Sequence, residues 1–301
     1  MDTISEIKNP SIILKEKIDK RDYDEIKKLE KLCAERDNVS FKLELEYKLC
    51  NKEESGRWTG SINDLMFYDE SDLKGYIGIS DFGGNALEVN GMVHPDYRNM
   101  GIFSKLFSLA EDEWRKRKQP EMLLLSDGSS ASGIGFIKKA CDEYDHSEYD
   151  MVLNMGAEQG SGPRSNKLRR ASGGDYAEIA RQDKIYFGTG QDDDTQVFEQ
   201  KYNENNGSFT YMAETGDKVT GKVRIEINEG AGGIYGLGVL PEYRGRGFGR
   251  EILTMAIEKL KEMGAHKIVL QVEINNKNAL NLYKSCGFEV NYVMDYYKIN
   301  K

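Results

Sequence analysis

Two short alternating runs of apolar residues lie close together in the second half of the chain. They cover residues 223–227 and 234–239, and a glycine-rich segment, residues 230–233, separates them. Alternation on both sides of a glycine turn is typical of a β-hairpin. Apolar residues then recur at helical spacing over residues 252–263, which predicts a helix. A further apolar run at residues 268–272 predicts a strand.

The first half of the chain shows the same order of patterns. Alternating runs at residues 75–80 and 86–93 flank a pair of glycines, which again predicts a β-hairpin. A helical pattern covers residues 106–114, and an apolar run follows at residues 122–125. Each half is therefore predicted to contain two strands, a tight loop, a helix and a strand, in that order.

The tight loops themselves repeat in register. Residues 93–103 and 239–249 share Val, Pro, Tyr, Arg and Gly at matching places, and Arg98 and Arg244 set the offset at 146 residues. A repeat at half the chain length predicts two copies of one fold.

The boundaries of the two copies can be predicted from the segments that precede and separate them. Helix-like stretches at residues 22–33 and 175–181 open the two halves, and residues 156–166 contain Gly-Ser-Gly-Pro without any periodicity. We therefore predict an N-terminal domain at residues 1–155, a linker at 156–166 and a C-terminal domain at 167–301. The expected fold class is α/β (α+β), each domain a mixed, mainly antiparallel sheet flanked by helices.

Composition narrows the expected partners. The 301 residues carry a net charge of −9, whereas a protein that binds duplex nucleic acid usually presents a basic face. The four cysteines show neither paired nor metal-type spacing, and no apolar stretch is long enough to span a membrane. The first residues lack the plan of a signal peptide. We expect a cytoplasmic protein, monomeric or homodimeric, that binds no nucleic acid, membrane or metal.

The second tight loop has the composition of an anion site. Glycines let a backbone approach a ligand closely, and the N–H groups at a helix start attract phosphate. Arg244 and Arg246 can add charge-assisted hydrogen bonds. A Rossmann loop or a simple tight turn has a similar sequence, so this feature alone leaves the role open.

The context of the loop resembles a known family. Arg244-x-x-Gly247-x-Gly249, preceded by Val239-x-Pro241-x-Tyr243, is similar to motif A of the GNAT superfamily of acyl-CoA N-acyltransferases. In that family the loop holds the pyrophosphate of coenzyme A and the preceding strand pairs with its pantetheine arm. The resemblance implies acetyl-CoA as co-substrate and the following donor-binding residues: Leu237, Gly238, Val239, Arg244, Gly245, Arg246, Gly247, Phe248, Gly249 and Asn276.

A second motif supports the resemblance, which covers residues 166–301. Residues 276–288 are similar to the family's motif B, in which the tyrosine protonates the departing CoA thiolate. A phenol stays protonated at neutral pH, so Tyr283 can serve as this general acid. The alternative is a tyrosine that only binds or packs. Asn276 can also cap the helix, and Gly287 can end it.

The sequence assigns no general base. The strand at residues 234–239 contains no carboxylate, and Glu226 and Glu273 on neighbouring strands are better explained as solvated residues. The acceptor also stays open. It is expected to be an amine on a small molecule or a peptide.

The N-terminal copy lacks parts of both motifs. At the offset of 146 residues, Ile137 takes the place of Tyr283 and Phe103 that of Gly249, provided that no insertion shifts the register. This copy could bind CoA without chemistry, could have lost CoA and shape the acceptor site, or could use another donor. The resemblance implies the following possible second CoA site: Val93, Arg98, Asn99, Met100, Gly101, Ile102 and Phe103.

The expected function is N-acetyl transfer from acetyl-CoA to an amine, with Tyr283 as general acid in the C-terminal domain. Tandem members of the superfamily, such as those of the mycothiol-synthase type, provide a precedent for one working half. The alternatives are a non-catalytic acyl-CoA-binding or regulatory module and a transferase that uses a longer acyl-CoA.

Overall fold

The computed structural model describes residues 6–50, 60–82, 84–141, 143–157, 164–188 and 207–301. Contacts within the chain divide it into two compact units. Unit 1 is Met1–Ser147 with Tyr292–Lys301, and unit 2 is Glu148–Asn291.

Unit 1 is a sheet in the order β1-β2-β3-β4-β5-β12 with helices packed on it. All neighbouring pairs among β1 to β5 are antiparallel except β4 and β5, which are parallel, and β12 pairs with β5 in antiparallel fashion. The elements are β1 (Pro10–Lys15), α1 (Lys20–Asp37), α2 (Leu45–Cys50), β2 (Asp64–Asp69), β3 (Asp72–Ser80), β4 (Ala86–Val93), α3 (Ile102–Lys116), β5 (Glu121–Asp127), α4 (Ala131–Ala140) and the end of β12 (Phe288–Asn300).

Unit 2 repeats this plan in the order β6-β11-β10-β9-β8-β7. Here β10 and β11 form the parallel pair, and the other recorded pairs are antiparallel. The elements are β6 (Tyr144–Leu153), β7 (Lys167–Arg170), α5 (Tyr176–Phe187), β8 (Ser208–Thr215), β9 (Lys218–Asn228), β10 (Ala231–Val239), α6 (Phe248–Glu262), β11 (Lys267–Glu273), α7 (Lys277–Ser285) and the start of β12.

The unit boundaries fall inside strands. The chain leaves unit 1 within β6 and returns to it within β12, whose residues Met294–Asn300 pair with β5. The sequence-based division at residues 155 and 167 therefore differs from the grouping by contacts, because hydrogen bonds to β5 hold the last ten residues in unit 1. Residues 158–163 of the predicted linker lie outside the described residues.

The duplication holds at the level of whole elements. Helices α3 and α6 begin at Ile102 and Phe248, which are 146 residues apart. Strands β5 and β11 begin at Glu121 and Lys267, again 146 residues apart. The predicted fold class, hairpins, helices and strands are confirmed in both halves.

Each unit has an apolar core between its sheet and the helix of its tight loop. Leu106 and Ala110 of α3 are fully buried in unit 1, and Leu253, Ala256 and Leu260 of α6 are fully buried in unit 2. Apolar residues at this helical spacing place one face of the helix on the sheet. This packing fixes the start of each helix at the end of the strand that precedes it.

Candidate active site

The parallel strands of unit 2 separate at one end. Pairing between β10 and β11 runs from Ala231 and Lys267 to Ile234 and Leu270 and then stops, although β10 continues to Val239 and β11 continues to Glu273. The two unpaired ends leave an opening in the sheet beside the tight loop that follows β10.

A β-bulge lies on β10 at the start of this opening. Tyr235 pairs with Arg224 and Gly238 pairs with Lys222, so β10 contains one residue more than β9 between these pairs. Gly236 has φ +55°, in the left-handed region that favours glycine. A bulge turns backbone groups out of the regular ladder. Leu237, Gly238 and Val239, expected to line the donor, lie within and just after it.

Helix α5 packs against the backbone of this strand. A side chain at Gly238 would come within 2.1 Å of the Tyr186 ring, so only glycine fits here. The Tyr186 hydroxyl donates to Gln182 Oε1 over 2.9 Å, and burial raises the pKa of the Tyr186 phenol. Tyr186 lies outside the motifs recognised in the sequence.

The tight loop of unit 2 has the backbone of an anion site. Gly245 and Gly247 have φ +75° and +83°, and Gly247 caps α6 without any side-chain hydrogen bond. Among the described residues, no N–H from Gly245 to Gly249 donates to a backbone carbonyl. Successive free N–H groups in such a loop, at a helix N-terminus, attract an anion.

The two loop arginines have different surroundings. Arg244 Nε donates to the Val239 carbonyl over 2.9 Å, which ties the loop to the end of β10. The Arg246 guanidinium lies 5.7 Å from the centre of the Tyr243 ring. Both residues are exposed, so their remaining N–H groups can reach a ligand on the loop.

Three residues separate the end of β11 from the start of helix α7. Asn276 Oδ1 accepts from the Ala279 N–H over 3.2 Å, as predicted for a cap, and Gly287 follows the helix with φ +86°. A Cβ at Gly249 would lie 3.3 Å from Leu282, so α7 packs closely beside the loop. The helix therefore connects the loop to the free end of β11.

Tyr283 lies on this helix and is 8% exposed. Its ring packs against Phe288, with the ring centres 6.1 Å apart, and burial raises the pKa of its phenol to about 12. Its hydroxyl has no hydrogen-bond partner among the described residues. A buried phenol of this kind stays protonated at neutral pH and can donate its proton.

A buried ion pair that the sequence analysis missed lies beside the bulge. Lys222 on β9 is 2% exposed, and its Nζ is 2.7 Å from Asp183 Oδ1 on α5. The same Nζ is 3.4 Å from the position of a Cβ on Gly236. The sequence does contain a signal for this pair. Lys222 stands beside the apolar residues of a predicted strand, and a lysine that is buried there needs an acidic partner.

The two glutamates that were weighed as bases have ordinary surroundings. Glu226 Oε1 accepts from Ser208 Oγ over 3.2 Å and lies 3.5 Å from Arg224 Nη1. Glu273 is exposed at the end of β11. Their assignment as solvated residues remains the better interpretation.

The tight loop of unit 1 keeps the backbone of its counterpart. Asn99 and Gly101 have φ +61° and +78°, close to Gly245 and Gly247 of unit 2. This loop has less positive charge to offer a ligand. Arg98 Nη2 lies 2.6 Å from Asp37 Oδ2, which neutralises it, and Met100 stands where unit 2 has Arg246.

A cavity of about 940 Å³ lies in unit 1 between the separating ends of β4 and β5. Phe103 lines it and packs against Phe136 of α4, with ring centres 4.6 Å apart. The Phe103 side chain therefore packs against α4. In unit 2 the matching residue, Gly249, likewise faces the matching helix, α7, at Leu282. Of the possible second donor residues, Val93, Arg98, Asn99, Gly101, Ile102 and Phe103 line this cavity.

Unit 1 lacks two features of unit 2. Its β3–β4 ladder is regular from Ser80 and Glu88 to Gly75 and Val93, so β4 contains no bulge. The N-cap of α4 is Ser130, 146 residues before Asn276, so no insertion shifts the register, and buried Ile137 stands at the place of Tyr283.

No group of three or more His, Cys, Asp or Glu residues in the described ranges could hold a metal ion. Likewise, no helix in this part of the chain has the length and apolar character needed to cross a membrane.

Comparison with curated proteins points to one family. Residues 176–288 match the Acetyltransferase (GNAT) family. A mycothiol acetyltransferase of Arthrobacter sp. (strain FB24) is 24% identical over 279 residues, which cover 78% of this chain and 79% of that protein. The mycothiol acetyltransferase of Corynebacterium aurimucosum is 39% identical over 69 residues, which are only 23% of either protein.

Solved structures match almost the whole chain. A GCN5-related N-acetyltransferase from Sphaerobacter thermophilus has a TM-score of 0.76 at 19% identity and covers 97% of this chain and 95% of its own. A tandem GNAT protein from the clavulanic acid biosynthesis pathway has a TM-score of 0.71 at 14% identity, covering 97% and 98%. These similarities establish the fold. With the family match, they show that residues 176–288 form a GNAT domain and that the whole chain has the fold of tandem GNAT proteins.

Proposed function

We propose that unit 2 is an N-acetyltransferase that moves an acetyl group from acetyl-CoA to a primary amine. The observation that carries the proposal is Tyr283, a buried phenol without a protein partner among the described residues, on the helix that packs against the loop. The bulge on β10 and the free N–H groups at Gly245 to Gly249 support a donor in the same opening.

Each part of the site has a distinct task in this proposal. The loop N–H groups, with Arg244 and Arg246, bind the pyrophosphate of the donor. The end of β10, from Leu237 to Val239, aligns the pantetheine arm and polarises the thioester carbonyl with backbone N–H groups. Phe248 and Gly249 let the first turn of α6 approach the donor, and Asn276 holds the start of α7.

The chemical step is a direct transfer. The neutral amine nitrogen attacks the thioester carbonyl carbon, the C–N bond forms and the C–S bond breaks. The electron pair of the C–S bond passes to sulfur, which takes the proton of the Tyr283 hydroxyl. The amine proton passes to solvent, and solvent returns a proton to the Tyr283 phenolate. Because the strand at residues 234–239 contains no carboxylate, we assign no general base.

The acceptor is proposed only as a class. Curated relatives include mycothiol acetyltransferases and an N-alpha-acetyltransferase of Schizosaccharomyces pombe. A small-molecule amine and a peptide N-terminus are therefore the two acceptor types to test. The net charge of −9 favours a cationic acceptor by long-range attraction.

The test measures free CoA thiol released from acetyl-CoA in the presence of amines of both types. Tyr283→Phe keeps the ring and removes the proton donor, so release should fall by about two orders of magnitude or more while CoA affinity is retained. Tyr211→Phe, on β8, serves as the matched control. Unchanged turnover in Tyr283→Phe removes the general-acid role, whereas CoA binding without transfer to any amine favours the non-catalytic module.

A longer acyl donor is the second candidate reaction. Turnover of butyryl-CoA or octanoyl-CoA that exceeds turnover of acetyl-CoA would replace acetyl transfer with that reaction and leave the role of Tyr283 intact.

A further inference from the structure

Helix α5 contacts the bulged part of β10 at two places, and the first contact is made by a ring. The Tyr186 ring lies on the backbone of Gly238, where a Cβ would come within 2.1 Å of it. Gln182, which is fully buried, accepts from the Tyr186 hydroxyl over 2.9 Å and donates through Nε2 to Glu178 Oε1 over 2.8 Å. This chain of hydrogen bonds along the helix restrains the ring on the strand just after the bulge.

The second contact is made by the buried ion pair. Lys222 lies opposite Gly238 in the ladder between β9 and β10, yet its Nζ reaches to within 3.4 Å of a Cβ placed on Gly236. Asp183 of α5 holds this ammonium over 2.7 Å. Asp183 and Tyr186 are three residues apart, so both contacts come from one face of the helix. The helix thus holds a ring on one side of the bulge and a charge beside the bulge itself.

Unit 1 has neither contact at the matching positions. Met92 and Tyr76 lie 146 residues before Gly238 and Lys222, and they also lie opposite each other in a ladder. Both side chains are buried in an apolar core that includes residues of α1. In unit 1, side chains of the sheet itself therefore fill the space beneath the helix, and the strand is regular. In unit 2, the bulge occurs together with a glycine, a tyrosine from the helix and an ion pair.

We propose that Tyr186 and Lys222 are positioning residues that keep β10 bulged for the reaction of unit 2. A bulge leaves one residue without a partner in the ladder, so a regular strand competes with it. The ring on Gly238 and the ammonium beside Gly236 oppose the return to regular pairing. The N–H groups of residues 237–239 thereby stay available for the thioester carbonyl. This inference rests on the proposed acetyl transfer.

Steady-state kinetics of acetyl transfer by the full chain test the role of the ring. Tyr186→Leu should lower kcat and kcat/KM together by about ten-fold or more, because the polarising N–H groups are no longer held in place. Tyr186→Phe keeps the ring and should retain at least half of the wild-type kcat. Phe209 packs against the core on the side of α6, so Phe209→Leu makes the same change away from α5 and is the matched control with unchanged kcat.

The role of the charge is tested by a pair of variants and their combination. Lys222→Met and Asp183→Asn should each lower kcat. Because the aspartate acts through the lysine, the double variant should lose no more than Lys222→Met alone. Losses that multiply in the double variant overturn this role of the pair. Tyr76→Phe, at the matching position of unit 1, is the control and should retain the wild-type kcat.

Crystal structures of Tyr186→Leu and Lys222→Met, both without ligand, give a measurement that does not depend on activity. The irregular step between Tyr235 and Gly238 should disappear, and Gly236 should leave the left-handed region. An unchanged bulge in both variants overturns the inference. Wild-type kcat in Tyr186→Leu rejects the positioning role and leaves the proposed function intact. Loss of the bulge in the variants, with no transfer by the wild type to any amine, rejects the proposed function and leaves the two residues as the supports of the bulge.

Discussion

The two units share their loop but differ in the strand and helix on either side of it. Asn99 and Gly101 reproduce the left-handed backbone of Gly245 and Gly247. In both loops the N–H groups at the helix start donate to no backbone carbonyl among the described residues. The bulge on β10 and the phenol of Tyr283 have no counterpart in unit 1. The features suited to phosphate thus occur twice, whereas those suited to acyl transfer occur once.

This comparison indicates that binding a donor and using it depend on separable parts of the fold. The loop conformation needs only a residue that tolerates positive φ at two places, and asparagine satisfies one of them. The proposed proton donor and the bulge each depend on particular residues, namely Tyr283 and Gly236. A duplicated unit can therefore lose the chemistry and keep the binding geometry.

The largest expected effect comes from the paired glycines. Gly247→Val should lower acetyl transfer by at least about 100-fold, because strain of 1–3 kcal/mol at this φ and a side chain on the loop both oppose donor binding. Gly101→Val makes the same change in unit 1. If the two variants lose comparable activity, the proposed inequality of the units is wrong.

The next effect concerns the buried charges beside the bulge. Lys222→Met removes the lysine that pairs with Asp183 and should lower the free energy of unfolding by about 2–3 kcal/mol. The reason is that the largely buried Asp183 carboxylate would no longer have this opposite charge to offset its lost hydration. Tyr76 occupies the matching position in unit 1, where its hydroxyl donates to Asp64 Oδ1 over 2.6 Å.

Tyr76→Phe is therefore the matched control, with an expected loss of about 1–2 kcal/mol for a single hydrogen bond to a carboxylate. Urea denaturation of the full chain measures both variants. A smaller loss for Lys222→Met than for Tyr76→Phe contradicts the importance of the pair.

Much of this comparison could be predicted from the sequence. The repeat at an offset of 146 residues predicted both loops, both helices and the presence of Ile137 at the place of Tyr283. These features are predictable because loop glycines and the apolar face of a helix are recognised from residues close together in the chain. The bulge and the pair of Lys222 with Asp183 could not be predicted. Each depends on the register between strands or on contacts between residues far apart in the chain.

The strands β6 and β12 show the same limit. Their alternating patterns predict strands but not their partners, so the return of Tyr292–Lys301 to unit 1 was not foreseen. Pairing with β5 is set by the whole sheet and not by the ten residues themselves.

A smaller effect is expected from exchanging the residues at the first turn of the two helices. Gly249→Phe forces a ring against Leu282, where even a Cβ would come within 3.3 Å, and should raise the KM for acetyl-CoA by about ten-fold. Phe103→Gly removes a half-buried ring from Phe136 and should cost about 2–3 kcal/mol of stability.

Steady-state kinetics and urea denaturation measure this exchange, with Phe107→Leu as a control for loss of aromatic packing in unit 1. Donor binding by the Gly249→Phe variant that equals the wild type shows that close approach at this position is unnecessary.

The last prediction concerns pH and isolates the buried phenol. Because burial raises the pKa of Tyr283 to about 12, the phenol stays protonated throughout the working range, and kcat should show no alkaline decline below pH 10 from this group.

The raised pKa of Tyr283 also favours the folded state below the ordinary tyrosine pKa of about 10, and this contribution to stability is lost as the pH rises towards 12. Between these values the stability of the wild type should fall more steeply than that of Tyr283→Phe, by roughly 1 kcal/mol per pH unit. Parallel denaturation curves for the two proteins from pH 9 to 11.5 test this. Ile137→Val, a small change at the matching position of unit 1, is the control. Equal slopes for the wild type and Tyr283→Phe place the phenol in contact with solvent and remove the physical basis for treating it as a protected proton donor.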